Sequence, residues 1–206
     1  MFIDSSTVAT RPANVPVVWS AYCRAFPKAP LTFASLFALS AILRHNGALA
    51  TALVLAGAFG SLAYFSFIRT RFAGGNLCAG QVVSSEPFLV AVLTDLANDG
   101  ESSYPVIKVF SPPKLKPPMP VGTHVAAVSL YVGVTPAGHW GDCLPELAIS
   151  ANPDSTLHHE LLARCTDEEW HQLKEACERL PKPFKCGLYP LALEGLVKAE
   201  IVTPPA

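Results

Sequence analysis

The densest grouping of chemically capable side chains is Gly138-His139-Trp140-Gly141-Asp142-Cys143. An imidazolium beside a thiol stabilises thiolate, so Cys143 with His139 and Asp142 is the candidate for nucleophilic catalysis. His124, on an expected strand, is a second candidate base. Sequence neighbours seldom hold the geometry that a nucleophile and its base need. A glycine-rich loop around a buried tryptophan explains the same residues without catalysis. A metal site would draw on His158, His159, Glu160 and His171. Adjacent histidines on a helix diverge by about 100°, which suits solvent-facing residues better than ligands of one ion. Gly74-Gly75 lacks the lysine and following helix of a phosphate loop, and neither G-x-S-x-G nor H-E-x-x-H occurs. No cofactor or metal is expected.

The elements that would position these residues begin near Asn76. Runs rich in β-formers cover Ala79–Ser84, Phe88–Thr94, Val106–Phe110, Val125–Val132 and Leu147–Ser150, separated by turn-forming clusters. Four or five short strands in so little chain predict a small barrel or curled sheet, whose closure would also hide its edges. The proline tract 111–120 reads as a stiff connector. Helices follow near 153–164, with Asn152-Pro153 as the expected cap, and near 166–180. The second opens on the capping box Thr166-Asp167-Glu168-Glu169 and carries Trp170, Leu173, Cys177 and Leu180 on one face.

Ahead of this domain lies Gly47–Ile68, 22 residues without a charge. As a helix it would be about 33 Å long, enough for a hydrocarbon core of about 30 Å. Ala29–Leu43 is also uncharged, but its helix would be only about 22 Å long. Lys28 and Arg44 could snorkel to lengthen its reach, and Arg44-His45-Asn46-Gly47 is a polar turn. The pair reads as a transmembrane hairpin (29–45 and 47–68), with a re-entrant first segment as the competing arrangement. Arg11, Arg24, Lys28, Arg69 and Arg71 then share one side against Arg44 on the other. That bias puts both termini and the soluble domain in the cytoplasm, on a multi-pass protein of the inner membrane. Ala48, Ala52, Ala56 and Gly60 recur every fourth residue and are the expected helix-packing stripe. Residues 1–28 form a pre-membrane segment, in which Trp19, Tyr22 and Phe26 either share an interfacial helix face or belong to an unstructured tail.

Composition agrees. The chain is 50% apolar and only 15% charged, against about a quarter charged in ordinary soluble domains. Residues 1–72 carry a formal charge of +5 and the remainder −6. That division excludes a globally basic nucleic-acid binder. No ionisable residue falls inside either apolar run, which argues against ion or proton transport by this chain alone. Six scattered cysteines without a C-x-x-C pair fit a reducing compartment, and no cleavable leader is expected.

Two N-terminal apolar helices, Phe88–Asp95, the run Tyr104 to Val109, Val121-Gly122, Glu168-Glu169-Trp170 with Leu173, and Pro183-Phe184 with Gly187-Leu188-Tyr189 together resemble an uncharacterised bacterial family. That family is a domain of unknown function behind a membrane anchor. The resemblance covers about residues 76–190 and implies no activity and no catalytic residues. The layout is also similar to membrane proteins in which an NfeD-like barrel follows helices. The sequence therefore predicts an α+β protein. A transmembrane helical hairpin precedes a β-barrel-like domain (73–190) with C-terminal amphipathic helices, and a tail (191–206) follows. Its expected role is protein interaction or assembly at the membrane. The partners would be the bilayer and another membrane or cytoplasmic protein, no nucleic acid, with a homo-oligomer left open. The alternatives are a tethered thiol enzyme using Cys143 with His139 or His124, and a small subunit of a membrane complex. The 73–206 portion is expected to fold alone.

Overall fold

The computed structural model describes residues 10–98, 103–113 and 119–191. Helices α1 (Trp19–Ala25), α2 (Lys28–Ile42) and α3 (Gly47–Gly74) come first. Strands β1 (Asn76–Ser85), β2 (Phe88–Asp95), β3 (Pro105–Phe110), β4 (His124–Val134) and β5 (Trp140–Leu147) follow. Helices α4 (Ala148–Ala151), α5 (Ser155–Ala163) and α6 (Asp167–Arg179) then lead to β6 (Gly187–Pro190). The strands make one antiparallel sheet in the order β5-β4-β1-β2-β3-β6. The fold is thus a mixture of helix and curled sheet. The curl brings β3 to β5 although three strands lie between them. Lys108 Nζ on β3 donates to both carboxylate oxygens of Asp142 on β5, at 2.7 and 2.8 Å.

Side chains alternate across a strand, so the sheet has two apolar faces. Cys78, Val82, Val90, Val92, Val125 and Ala127 fill one. Leu77, Ala79, Ala91, Ile107, Val109 and Val128 fill the other, which α5, α6 and the chain around α1 cover. The central strands are buried on both faces, which is why they read as continuous apolar runs rather than alternating ones.

The fifth strand differs from expectation. Leu147–Ser150 was expected to be extended, but β5 ends at Leu147 and Ala148–Ala151 is a helical turn. Of the residues expected as a glycine-rich loop, Gly138 and His139 lie in a turn, and Trp140 to Cys143 are strand instead. Gly138, at φ 87°, closes a tight turn in which Thr135 and His139 are hydrogen-bonded, and Trp140 N–H donates to the Leu96 carbonyl. Pro145 fits this strand because β5 lies at the sheet edge, where its missing N–H costs no ladder bond. The cap of α5 also shifts by two residues. Asp154 accepts from Thr156 N–H, while the Asn152 amide donates to the Pro16 carbonyl. The α6 capping box forms as read, with Thr166 and Glu169 bonded reciprocally. Part of the proline connector, residues 114–118, and the 192–206 portion of the tail lie outside the described residues.

The largest departure concerns residues 10–18, expected as part of a pre-membrane segment. They run as an extended strap across the domain. Ala13, Asn14 and Val15 donate to the carbonyls of Gly75, Ala73 and Phe72 at 2.9–3.0 Å, and Leu77 N–H returns a bond to Arg11. The Arg11 guanidinium grips both carboxylate oxygens of Glu169, and Arg164 reaches the Pro12 and Ala13 carbonyls. Ala13, Val15 and Tyr22 are buried with the sheet core. A boundary at residue 73 therefore cuts through one packing unit.

The helical hairpin joins the domain without a spacer. One residue, Gly75, separates α3 from β1. A Cβ there would stand 2.5 Å from the Arg71 carbonyl and 2.6 Å from a Val128 methyl, so only glycine lets the helix end lie this close to the sheet.

Candidate functional site

The thiol constellation is taken apart by strand geometry. Cys143 points into a cluster with Trp140, Tyr131, Leu96 and Val106 and is fully buried. Burial pushes its thiol well above the usual cysteine range, the reverse of activation. Asp142, its neighbour, is held by Lys108 and accepts the Cys143 backbone N–H. His139 stacks on Tyr104 at 4.2 Å, its Nδ1 bonded with the Trp140 carbonyl. His124 stacks on Trp170 at 4.3 Å. It pairs with Gln81, whereas Cys143 pairs with Tyr131, about 23 Å further along β4. Among the described residues no imidazole bonds to Cys143. Iodoacetamide at neutral pH is expected to alkylate exposed Cys186 readily and Cys143 at least ~100-fold more slowly until the chain is denatured. Equal rates in the folded protein would restore a reactive thiol.

The other histidines serve local structure. His158 Nε2 bonds with the Asn152 carbonyl and His159 Nδ1 with that of Ser155, while His171 faces Glu175 at 3.5 Å. Among the described residues no three metal-binding side chains converge.

A cavity of about 700 Å³ opens between β1, β2 and α6. The Arg11–Glu169 pair forms part of its wall. Burial raises the Glu169 carboxyl, but the bonds from Arg11 and Thr166 outweigh it and hold the group below the usual carboxylate value. Beside it the Tyr131 hydroxyl bonds with Thr94 at 2.7 Å and accepts from the Asn76 amide at 2.8 Å, and the Cys78 thiol donates to the Thr94 hydroxyl. Burial raises both the Tyr131 phenol and the Cys78 thiol. These are satisfied, uncharged groups that stiffen the wall, and they offer no base or nucleophile.

A second polar feature lies where the hairpin meets the domain, and only two lone charges mark it in the sequence. Arg71, in the last turn of α3, is 8% exposed. Its guanidinium donates to Glu146 Oε1 at 2.7 Å and to the Leu144 carbonyl. Arg71 Nε and Glu146 Oε2 are buried without a partner among the described residues. Burial raises the Glu146 carboxyl and Arg71 opposes the rise. Nearby Tyr22 meets Phe72 edge to face, and its hydroxyl lies 3.3 Å from that of Tyr64. The pair locks α3 onto β5 rather than presenting a reactive centre.

The α2–α3 hairpin presents an apolar surface. In the most apolar 18-residue stretch of α3, of mean hydropathy 1.8, only 6% is buried inside the protein. Phe59 is 69% exposed, Leu62 67% and, on α2, Ile42 73%. A core helix of a soluble protein would hide such residues. Among the described residues α3 is the one unbroken helix long and apolar enough to cross a membrane, while α1 and α2 meet at 96°. The two helices of the hairpin touch through aromatic rings set on small residues. Phe37 lies against Gly57 and Phe33 against Gly60, each 3.1 Å from where a Cβ would stand. Of the expected packing stripe, Gly60 thus faces α2, whereas Ala48, Ala52 and Ala56 are exposed. The contact follows the neighbouring face because the large residues that need room, Phe33 and Phe37, lie opposite Gly57 and Gly60.

No protein-family model and no curated protein sequence matches the chain. One solved structure is similar, the crystal structure of a candidate membrane protein from Corynebacterium diphtheriae. It is 17% identical with a TM-score of 0.48, over 54% of this chain and 97% of that one.

Proposed function

We propose that this is an integral membrane protein whose α2–α3 hairpin sits in the cytoplasmic membrane and holds the α+β domain at its inner face. There the domain supports protein interaction or assembly. The outward-facing apolar surface of α3 carries this reading: nothing among the described residues covers it, and lipid is the solvent that would. Asn46, which caps α3 by accepting from Leu49 N–H, lies in the polar turn at the far end of the hairpin. Both ends of the hairpin return to the domain, so strap and sheet share one side. Arg11 and Arg71 are engaged within the protein, which leaves Arg24, Lys28 and Arg69 exposed on that side against Arg44 on the other. The bias still favours a cytoplasmic domain. The resemblance to the uncharacterised bacterial family of anchored domains supports the same layout and adds no activity. The second reading, a small subunit of a larger membrane complex, is favoured by the exposed Ala48, Ala52 and Ala56 face.

Alkaline carbonate extraction is expected to leave the full-length chain in the membrane pellet. In a Cys23→Ser background, an impermeant maleimide is expected to miss Cys186 in intact cells and to label it in inverted vesicles. Release into the supernatant would overturn the anchor, and labelling in intact cells would reverse the sidedness.

A further inference from the structure

Resting on the membrane reading above, we propose that the groove between the strap and the end of α3 holds an anionic phospholipid, its phosphate on Arg69 and its upper acyl chain on Leu62 and Phe65. The groove has a volume of about 590 Å³. One wall is a single face of α3, since Leu62, Phe65, Ser66, Arg69 and Ala73 follow helical spacing. The other wall is the strap from Asn14 to Val17, continued by Trp19. Both walls are fixed: the strap is bonded to the carbonyls of Phe72, Ala73 and Gly75, and the Trp19 indole meets Phe65 edge to face at 5.0 Å.

Depth selects the occupant. The uncharged run of α3 ends at Ile68. Measured along the helix, Leu62 lies about 9 Å and Phe65 about 4.5 Å on the hydrocarbon side of that point, and Arg69 about 1.5 Å beyond it. The groove therefore passes from acyl depth to phosphate depth, apolar at one end and cationic at the other. Leu62 continues directly into the exposed apolar face of α3, so a lipid would reach the groove from the bilayer without crossing water. Trp19, 38% exposed, stands at the level where indoles settle between headgroup and chain. Among the described residues Arg69 has no carboxylate partner, in contrast to Arg11 and Arg71. The charge left free in the groove is positive, and an anionic headgroup complements it where a zwitterionic one does not.

The test uses the full-length chain in phosphatidylcholine vesicles that contain, at equal mole fraction, either brominated phosphatidylglycerol or brominated phosphatidylcholine. Tryptophan quenching is expected to be about fivefold more effective per mole with the brominated phosphatidylglycerol, the selectivity of one arginine near an anionic surface. Trp19→Phe should remove most of the quenching, because Trp140 is buried in the sheet and Trp170 stacks on His124. Arg69→Gln, at an exposed position that leaves the core intact, should bring the two lipids to parity. A chain that floats with the vesicles but is quenched equally by both lipids overturns this site alone, as does a preference that survives Arg69→Gln. A chain that does not float overturns the anchor and the site together.

Discussion

A fragment covering 73–206 is expected not to fold, whereas residues 10–26 joined through a glycine-serine linker to 68–206 should regain a cooperative unfolding transition. Cutting at residue 73 removes three side chains that are no more than 2% exposed, Ala13, Val15 and Tyr22, together with the Phe72 ring on which Tyr22 packs. Fully burying one such large side chain is worth about 1.5–3 kcal/mol. The cut also strands Glu169, whose carboxylate loses the Arg11 fork, and exposes the Leu77 carbonyl that Arg11 covers. Charge-assisted bonds of this kind contribute about 1.5–3 kcal/mol. Against a net stability of about 5–15 kcal/mol, these losses remove most of the margin. Near-ultraviolet circular dichroism and urea titration of the two fragments decide it. A 73–206 fragment that unfolds cooperatively, within about 1 kcal/mol of the linked one, would show the strap to be dispensable.

Arg71→Leu and Glu146→Leu are each expected to destabilise the full-length protein by about 3–5 kcal/mol, and the double variant to recover most of that loss. Either single change leaves a buried charge without its partner, and the pair is one in which Arg71 Nε and Glu146 Oε2 already lack bonds. The pH dependence identifies the cause. Burial raises the folded Glu146 carboxyl, and removing Arg71 takes away the cation that restrains the rise. With its folded pKa above the unfolded one, Glu146 takes its proton more readily in the folded state. Arg71→Leu should therefore be mildest below the ordinary carboxylate range and worsen as pH rises through the raised folded value. Thermal unfolding in mild detergent measures both effects. Single variants within about 1 kcal/mol of the parent, or a defect that does not change with pH, would remove the pair's role as a lock.

What could be read from the chain divides by how local the cause is. The uncharged run of α3, the Thr166–Glu169 cap and four of the strands announce themselves because their signals lie within one or two turns or a few alternating residues. β5 was misplaced because its strand character comes from pairing with β4 and from an edge position that tolerates Pro145. The strap was missed for a related reason. Pro12 bridges to Asn76, and Arg11 to Glu169, across separations that no local pattern encodes. Tyr22 reads as either a membrane-interface aromatic or part of a loose tail and is instead a core residue. At the candidate site, residue types alone put Cys143, Asp142 and His139 together. A strand sends adjacent side chains apart, and that alone separates the thiol from the acid. The Arg71–Glu146 lock was invisible because arginine at a helix end normally signals the headgroup region.

Since Gly75 is the whole of the connection between α3 and β1, the sheet has no tether on which to swing. With the hairpin in lipid, as proposed, the sheet's stand-off from the bilayer would be fixed, and any soluble partner would have to come down to the lipid surface to meet it. The same joint turns the hairpin into a lever. On that placement, a thinner or thicker bilayer that changes the tilt of α3 would lean the whole sheet through the same angle.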